Sequence, residues 1–245
     1  MEGGVLPVIK RQGGKYRMYK KIISEFPPNY EEMIYVEPFI GGGSVFFNKE
    51  DSKKQIINDK DTILYDFYTL VKNKPKELEQ RINGLYNEED FYEIKKAKPT
   101  SKIGIIVRMY LLRFLSYRGT SQIFDTPRYV NRQVNKDFDF YSKKLRHTTI
   151  LNKDYKTVIA KYDSENTFFY LDPPYELSTE SIGDYDSINL DELASILTRI
   201  KGRFLLSINN SKRTRALFKS FNIKKIKTVY SLNTREMVEL LISNY

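Results

Sequence analysis

Apolar residues at Tyr19, Ile22, Ile23 and Phe26 repeat with the period of a helix, and Pro27-Pro28 stops it. Met33–Phe39 alternates weakly and is rich in β-forming residues, which predicts a strand. Gly41-Gly42-Gly43 follows at once, and Ser44-Val45-Phe46-Phe47 reads as the entry to a helix. Gln55-Ile56-Ile57-Asn58-Asp59 predicts a second short strand that closes on an acid. Between Lys60 and Lys161 the pattern turns helical and basic and shows no doubly wound rhythm. Within that stretch Ile103–Tyr117 predicts an apolar helix carrying Arg108 and Arg113, and Ser116–Asn135 is loop-like. Alternation resumes with strand Phe168–Leu171, helix Asp191–Ile200, strand Phe204–Ile208 and helix Ser211–Phe221. Lys224–Tyr230 and Met237–Ser243 then read as an antiparallel hairpin. The natural division is an α/β core built from residues 1–60 and 160–245, with a basic, mostly helical lobe, 61–159, inserted between them.

The 245 residues suffice for one α/β domain, or for such a domain with an inserted lobe. A formal net charge of +10 implies an anionic partner, nucleic acid being the usual one, although a general solubility charge would look the same. Cysteine is absent, which excludes disulfides, thiolate metal sites and thiol nucleophiles together. The single histidine, His147, sits in the basic stretch Lys143-Lys144-Leu145-Arg146-His147 and reads as a surface residue, so no metal site is expected. No segment has the apolar length needed to span a bilayer. The expectation is a soluble cytoplasmic protein, or a nuclear one in a eukaryotic host.

Leu171-Asp172-Pro173-Pro174-Tyr175 is the most informative string in the chain. It follows the apolar run Thr167–Leu171 and so sets a carboxylate, a stiff backbone and an aromatic face at a strand's carboxyl end. In open α/β sheets that edge is where ligands bind. The two prolines fix the local backbone, so the carbonyls point in set directions. Such a corner suits a planar heterocycle gripped by its exocyclic amino group, with Asp172 and a proline carbonyl accepting and Tyr175 stacking. The plain alternative is a Pro-Pro turn ending a strand.

Strand, glycine turn, helix, then strand ending in an acid is a nucleotide-binding order. Gly41-Gly42-Gly43-Ser44-Val45-Phe46 does not fit G-x-G-x-x-G, because Phe46 stands where the last glycine belongs. With Glu37 two residues ahead of Phe39, the arrangement suits an adenosine-bearing cofactor without a pyrophosphate better than a dinucleotide. A glycine triplet by itself is also consistent with a simple tight turn.

Together, Val36-Glu37-Pro38-Phe39-Ile40-Gly41-Gly42-Gly43-Ser44 and Asp172-Pro173-Pro174-Tyr175 resemble the cofactor and catalytic motifs of the Dam-type DNA adenine-N(6) methyltransferases. Arg11-Gln12-Gly13-Gly14-Lys15-Tyr16 is similar to that family's amino-terminal motif, Ile57-Asn58-Asp59 to its ribose-binding strand, and Leu206-Ser207-Ile208-Asn209-Asn210 and Glu239–Tyr245 to its last strands. The resemblance implies a Rossmann-like methyltransferase sheet with an inserted helical DNA-recognition lobe, and S-adenosylmethionine as cofactor. It implies Asp172, Pro173, Pro174 and Tyr175 as the catalytic group. It implies Arg11, Lys15, Glu37, Phe39, Gly41, Gly43, Asp59 and Asp172 as the cofactor-binding set. The target would be adenine in double-stranded DNA, flipped into the pocket. Cytosine carbon-5 methylation needs a thiolate, which this chain lacks.

The chain departs from the family at position 11, which is Arg where the family has Trp or Tyr. The segment Tyr117-Arg118-Gly119-Thr120-Ser121-Gln122-Ile123-Phe124 follows the family's Tyr-x-Gly pattern only loosely, so no target site is carried over. Arg118 and Gln122 have the geometry to read guanine and adenine edges. Arg128, Arg132, Lys143 and Lys144 are candidates for phosphates, each with a solvated surface charge as its ordinary alternative. Arg108 and Arg113 can equally be structural, and Phe169 reads as core rather than pocket. The rival enzymatic readings are methylation of cytosine N(4), RNA adenine or a protein glutamine. A non-catalytic binding module is the rival of a different class. A monomer or weak dimer is expected.

Overall fold

A computed structural model describes residues 4–11, 13–126, 130–174, 188–229 and 236–245. In chain order its elements begin with α1 (Tyr19–Ile23), β1 (Ile34–Glu37), β2 (Lys54–Asn58), α2 (Thr62–Asn73), α3 (Pro75–Ile82) and β3 (Gly84–Tyr86). Next come α4 (Glu88–Lys96), α5 (Lys102–Leu115), β4 (Arg132–Val134), α6 (Asp139–Leu145), β5 (Thr148–Leu151) and α7 (Tyr155–Tyr162). The last are β6 (Thr167–Leu171), α8 (Leu190–Thr198), β7 (Arg203–Asn209), α9 (Lys212–Leu217), β8 (Asn222–Val229) and β9 (Glu236–Ser243). Seven strands form one sheet in the order β5-β2-β1-β6-β7-β9-β8. The pairs β1–β2, β1–β6 and β6–β7 are parallel, and β9 runs antiparallel to both β7 and β8. Two compact units emerge: Met1–Tyr16, Gly41–Lys49 and Asp59–Asn152 in one, Arg17–Ile40, Glu50–Asn58 and Lys153–Tyr245 in the other.

In the second unit β6 is buried at every position, as its unbroken apolar run Thr167–Leu171 requires of a parallel strand covered on both faces. Phe169 is fully buried there and belongs to the core. Phe26 packs edge-on to Phe168 with ring centres 4.7 Å apart. Because β1, β2, β6 and β7 are parallel, Glu37, Asn58, Asp172 and Asn209 all fall at one edge of this sheet.

In the first unit helices pack around Phe67, Tyr110 and Phe138, whose rings lie 5.8 Å (Phe67–Tyr110) and 5.9 Å (Tyr110–Phe138) apart. Asp61 caps α2 by accepting the N–H groups of Ile63 and Leu64.

Three features differ from the pattern of the sequence. Ser44–Phe47 forms turns and not a helix. The Asn48 side chain donates to the Ser44 carbonyl at 2.8 Å, taking the acceptor that its own backbone N–H would use in a helix. The basic middle stretch contains strand β5, four residues long, and the small antiparallel pair β3–β4. Strands that short have too few residues to show a period. The predicted helix Ile103–Tyr117 ends earlier, at Leu115, and Ser116 begins a loop closed by its bridge to Phe124.

Candidate active site

At the end of β1 Glu37 is buried, and its Oε2 accepts the hydroxyl of Tyr35 at 2.5 Å. The two are i and i+2 on one strand, so they share a face. Burial first, and the Glu37 charge second, push the Tyr35 hydroxyl well above its ordinary range, so it stays a donor. Asn58, last in β2, donates to the carbonyls of Pro38 and Lys153, each at 2.9 Å, and accepts the Lys153 N–H at 2.9 Å. It ties the end of β1 to the segment that enters α7. Phe39 is half-buried, and its ring centre lies 5.2 Å from that of Tyr155. The Tyr155 hydroxyl is buried without a hydrogen-bond partner among the described residues. Neither Asn58 nor Tyr155 is singled out by sequence reasoning; an Asn before the strand-end acid is the only signal for the first.

Asp172 directly follows β6. The parallel register Leu171↔Leu206 carries on to set Ser207 abreast of Asp172. Ser207 Oγ donates to Asp172 Oδ1 at 3.1 Å, and the Tyr170 hydroxyl lies 3.0 Å from Ser207 Oγ. Pro173 is buried and Pro174 half-buried, while Tyr175 lies outside the described residues.

In the first unit Asp59 is held from three sides. Its Oδ2 accepts the Gly41 N–H at 3.1 Å and stands 3.5 Å from Arg11 Nη1, and its Oδ1 accepts the Asp61 N–H at 3.0 Å. Burial raises its pKa, and Arg11 is the strongest of the influences that oppose this. Gly41 and Gly43 have φ of +50° and +71°, values that glycine adopts freely. The Tyr68 hydroxyl donates to the Gly41 carbonyl at 2.9 Å, a support that sequence reasoning misses. Lys15 is buried, and its amine donates to the Gly13 carbonyl at 3.1 Å.

The expected DNA contacts separate into two kinds. Arg118 and Gln122 are exposed on the loop closed by Ser116 and Phe124, and Lys143 is exposed on α6. Arg132 and Lys144 are engaged internally. The guanidinium of Arg132 is 3.4 Å from Asp125 and 4.6 Å from the centre of the Phe114 ring. The Lys144 amine donates to the Lys49 carbonyl. Arg108 is structural, donating to the carbonyls of Ile94 and Lys95 at 3.0 and 2.6 Å. Arg128 lies outside the described residues. Glu79, Asp137 and Asp139 converge on the amine of Lys76, an ion-paired cluster. No helix of the described residues is long and apolar enough to cross a membrane.

A sheet of this order, with Asp-Pro-Pro at its carboxyl edge, fits a methyltransferase that draws its methyl group from S-adenosylmethionine. Residues 12–232 match the D12 class N6 adenine-specific DNA methyltransferase family, and the chain belongs to it. It is 28% identical to the type II methyltransferase M.MjaIII of Methanocaldococcus jannaschii, over 98% of this chain and 99% of that protein. It is 25% identical to the type II methyltransferase M.CviBI of Paramecium bursaria Chlorella virus NC1A, over 88% of this chain and 87% of that one. Against a DNA adenine methylase of Vibrio cholerae the identity is 24%, over 89% and 87%. Among solved structures, an rRNA methylase from Streptococcus thermophilus aligns over 93% of this chain and 94% of that one, at 10% identity and a TM-score of 0.40.

Proposed function

We propose that the protein methylates adenine N6 at specific sites in double-stranded DNA, on a base flipped out of the helix, with Asp172, Pro173, Pro174 and Tyr175 as the catalytic group. The observation that carries this reading is Asp172, a carboxylate at the carboxyl end of the central strand, bonded by Ser207 and followed by a stiff Pro-Pro pair. An adenine amino group is a weak nucleophile because its lone pair is delocalised into the ring. Asp172 and the Pro173 carbonyl would accept its two N–H bonds, favour the geometry in which the lone pair is available, and stabilise the positive charge that builds on nitrogen. Tyr175 would stack on the flipped base.

The bound cofactor supplies a methyl group on a sulfonium, already activated for transfer. The chain's part is binding and alignment. The half-buried Phe39 ring, with the orphan hydroxyl of Tyr155 on the ring next to it, fits the flat base of a nucleoside. In this reading Asp59 accepts from the ribose, Phe39 meets the base, and Lys15 and Arg11 serve the amino-acid end. Glu37, Gly41 and Gly43 shape the turn, and Asp172 serves cofactor and substrate sides alike.

The inserted lobe, 61–159, would recognise DNA. Arg118 and Gln122 would read bases, and Lys143 and Arg128 would meet phosphates. Arg132 and Lys144 would act by holding the lobe, given their internal partners. One flipping site suits a monomer, working in the cytoplasm or wherever its DNA lies.

Transfer of labelled methyl from S-adenosylmethionine to duplex DNA, with the product digested to nucleosides, tests the proposal. Label in N6-methyladenine that disappears in Asp172→Ala supports it. Label in N4-methylcytosine, or wild-type transfer by the variant, overturns it.

A further inference from the structure

We propose that Asn209 touches the target base, donating from its amide to a ring nitrogen of the adenine whose amino group is gripped at Asp172 and Pro173. The inference rests on the reading of Asp172 as catalytic and deepens it.

Register places Asn209 beside that corner. Leu171 is paired with Leu206 across the parallel strands β6 and β7, so Asp172 stands abreast of Ser207, and Asn209 is two residues further out on β7. Side chains two residues apart on a strand share a face. Ser207 bonds to Asp172 and contacts the Tyr170 hydroxyl, so that face is the one carrying the candidate carboxylate. Strands lie roughly 4.8 Å apart and rise roughly 3.3 Å per residue, so the Cα atoms of Asp172 and Asn209 are about 8 Å apart. That separation lets two short side chains reach different edges of one purine.

Three observations set Asn209 apart. Asparagine suits strands poorly, yet here it ends β7 and continues the ladder to Glu239 on β9. A residue that breaks a local preference is a pointer to function. Phe204–Ile208 before it are all buried, whereas Asn209 is half-buried at the carboxyl edge where ligands meet such sheets. Its side chain makes no hydrogen bond among the described residues, although the side chains around it are committed. Ser207 bonds to Asp172, Asn210 accepts from Arg215, and Ser211 caps α9 by accepting the Thr214 N–H at 2.9 Å. The backbone therefore holds the amide in place and leaves its donors uncommitted.

The chemistry of the corner selects the ligand. β1, on the other side of β6, carries Glu37 and leads to Phe39, both of the cofactor-binding set, so the β7 side of Asp172 is left to the target. Beside its amino group an adenine ring presents acceptor nitrogens, and carboxylates have no proton to give them. The Asn209 amide has two.

The test measures single-turnover methyl transfer to duplex DNA at saturating S-adenosylmethionine, once the methylated site is mapped. The target adenine is replaced in turn by 1-deaza-, 3-deaza- and 7-deazaadenine, each of which keeps the amino group and loses one ring acceptor. The enzymes compared are wild type, Asn209→Ala, Asn209→Asp and Asp172→Ala. On adenine, Asn209→Ala is expected to be about tenfold slower than wild type. Asn209→Asp keeps the shape and loses the donor, and should be at least as slow. One analogue should slow wild type by a similar factor and cost Asn209→Ala nothing further, which identifies the nitrogen contacted. The melting temperature of Asn209→Ala should match wild type, since no internal bond is lost. Wild-type transfer by Asn209→Ala, or analogue effects equal in the two enzymes, overturns the inference, while an inactive Asp172→Ala leaves the catalytic reading standing. A destabilised Asn209→Ala would make the side chain structural and overturn it as well. Wild-type transfer by Asp172→Ala would sink the catalytic reading itself.

Discussion

Nη1 of Arg11 stands 3.5 Å from Oδ2 of Asp59, so the residue that replaces the family aromatic is the counter-ion of the strand-end acid. Asp59 is 14% exposed, and burial is what raises its pKa above the ordinary 3.8. A carboxylate raised on folding contributes stability that is present below its unfolded pKa and lost as pH rises through the folded value. Arg11 limits that loss by favouring the ionised form. Arg11→Met removes the opposition, so the melting temperature of the cofactor-free variant should fall more steeply than wild type as pH rises from about 4 to about 7. Calorimetry across that range checks it, and parallel curves would show that Arg11 does not support Asp59.

Gly43 is the position in the glycine turn with least tolerance. At φ +71° an added Cβ would lie 2.6 Å from Phe47 Cε2 and 3.0 Å from the Tyr68 hydroxyl, and both side chains are buried. Gly43→Ala is expected to destabilise by roughly 2–4 kcal/mol, from left-handed strain plus overpacking. Urea denaturation should show the midpoint falling with the slope unchanged.

Lys143 and Lys144 are neighbours in sequence with different surroundings. Lys143→Ala should leave stability near wild type and lower the slope of log affinity for DNA against log salt by about one. Lys144→Ala should leave that slope alone and cost about 1–2 kcal/mol, the loss of a charged donor to the Lys49 carbonyl. Binding titrations at several salt concentrations, beside thermal melts, separate the two.

Arg132 pairs with Asp125, their side chains 12% and 8% exposed. Oδ1 of Asp125 is buried with no hydrogen-bond partner among the described residues, so the guanidinium is what compensates this charge. Arg132→Ala strands it and should cost about 3–5 kcal/mol. Replacing both by Met and Leu should restore much of the loss. A double variant as unstable as Arg132→Ala would show that the charge is not the cause.

The outline of the α/β fold is legible in the sequence because its strands are apolar runs with punctuation. Thr167–Leu171 is apolar at every central position and ends in Asp172-Pro173-Pro174. Lys54–Asn58 is bounded by an acid, and β8 and β9 pair antiparallel as their spacing predicts. The candidate acids, glycines and Lys15 are likewise visible, since each sits at a fixed offset from a strand end or a turn. These are local signals, carried by a few consecutive residues.

Partners distant in sequence are decided only by the tertiary structure. Arg11 meets Asp59 from 48 positions away in the chain, and Ser207 reaches Asp172 because β7 lies beside β6. Arg132 and Lys144 read as surface cations on the chain and are claimed by Asp125 and the Lys49 carbonyl in the fold. The physical reason is common to all of them. Whether a charge faces water, a buried acid or a carbonyl depends on what packs against it, and residue type and spacing carry no record of that neighbour.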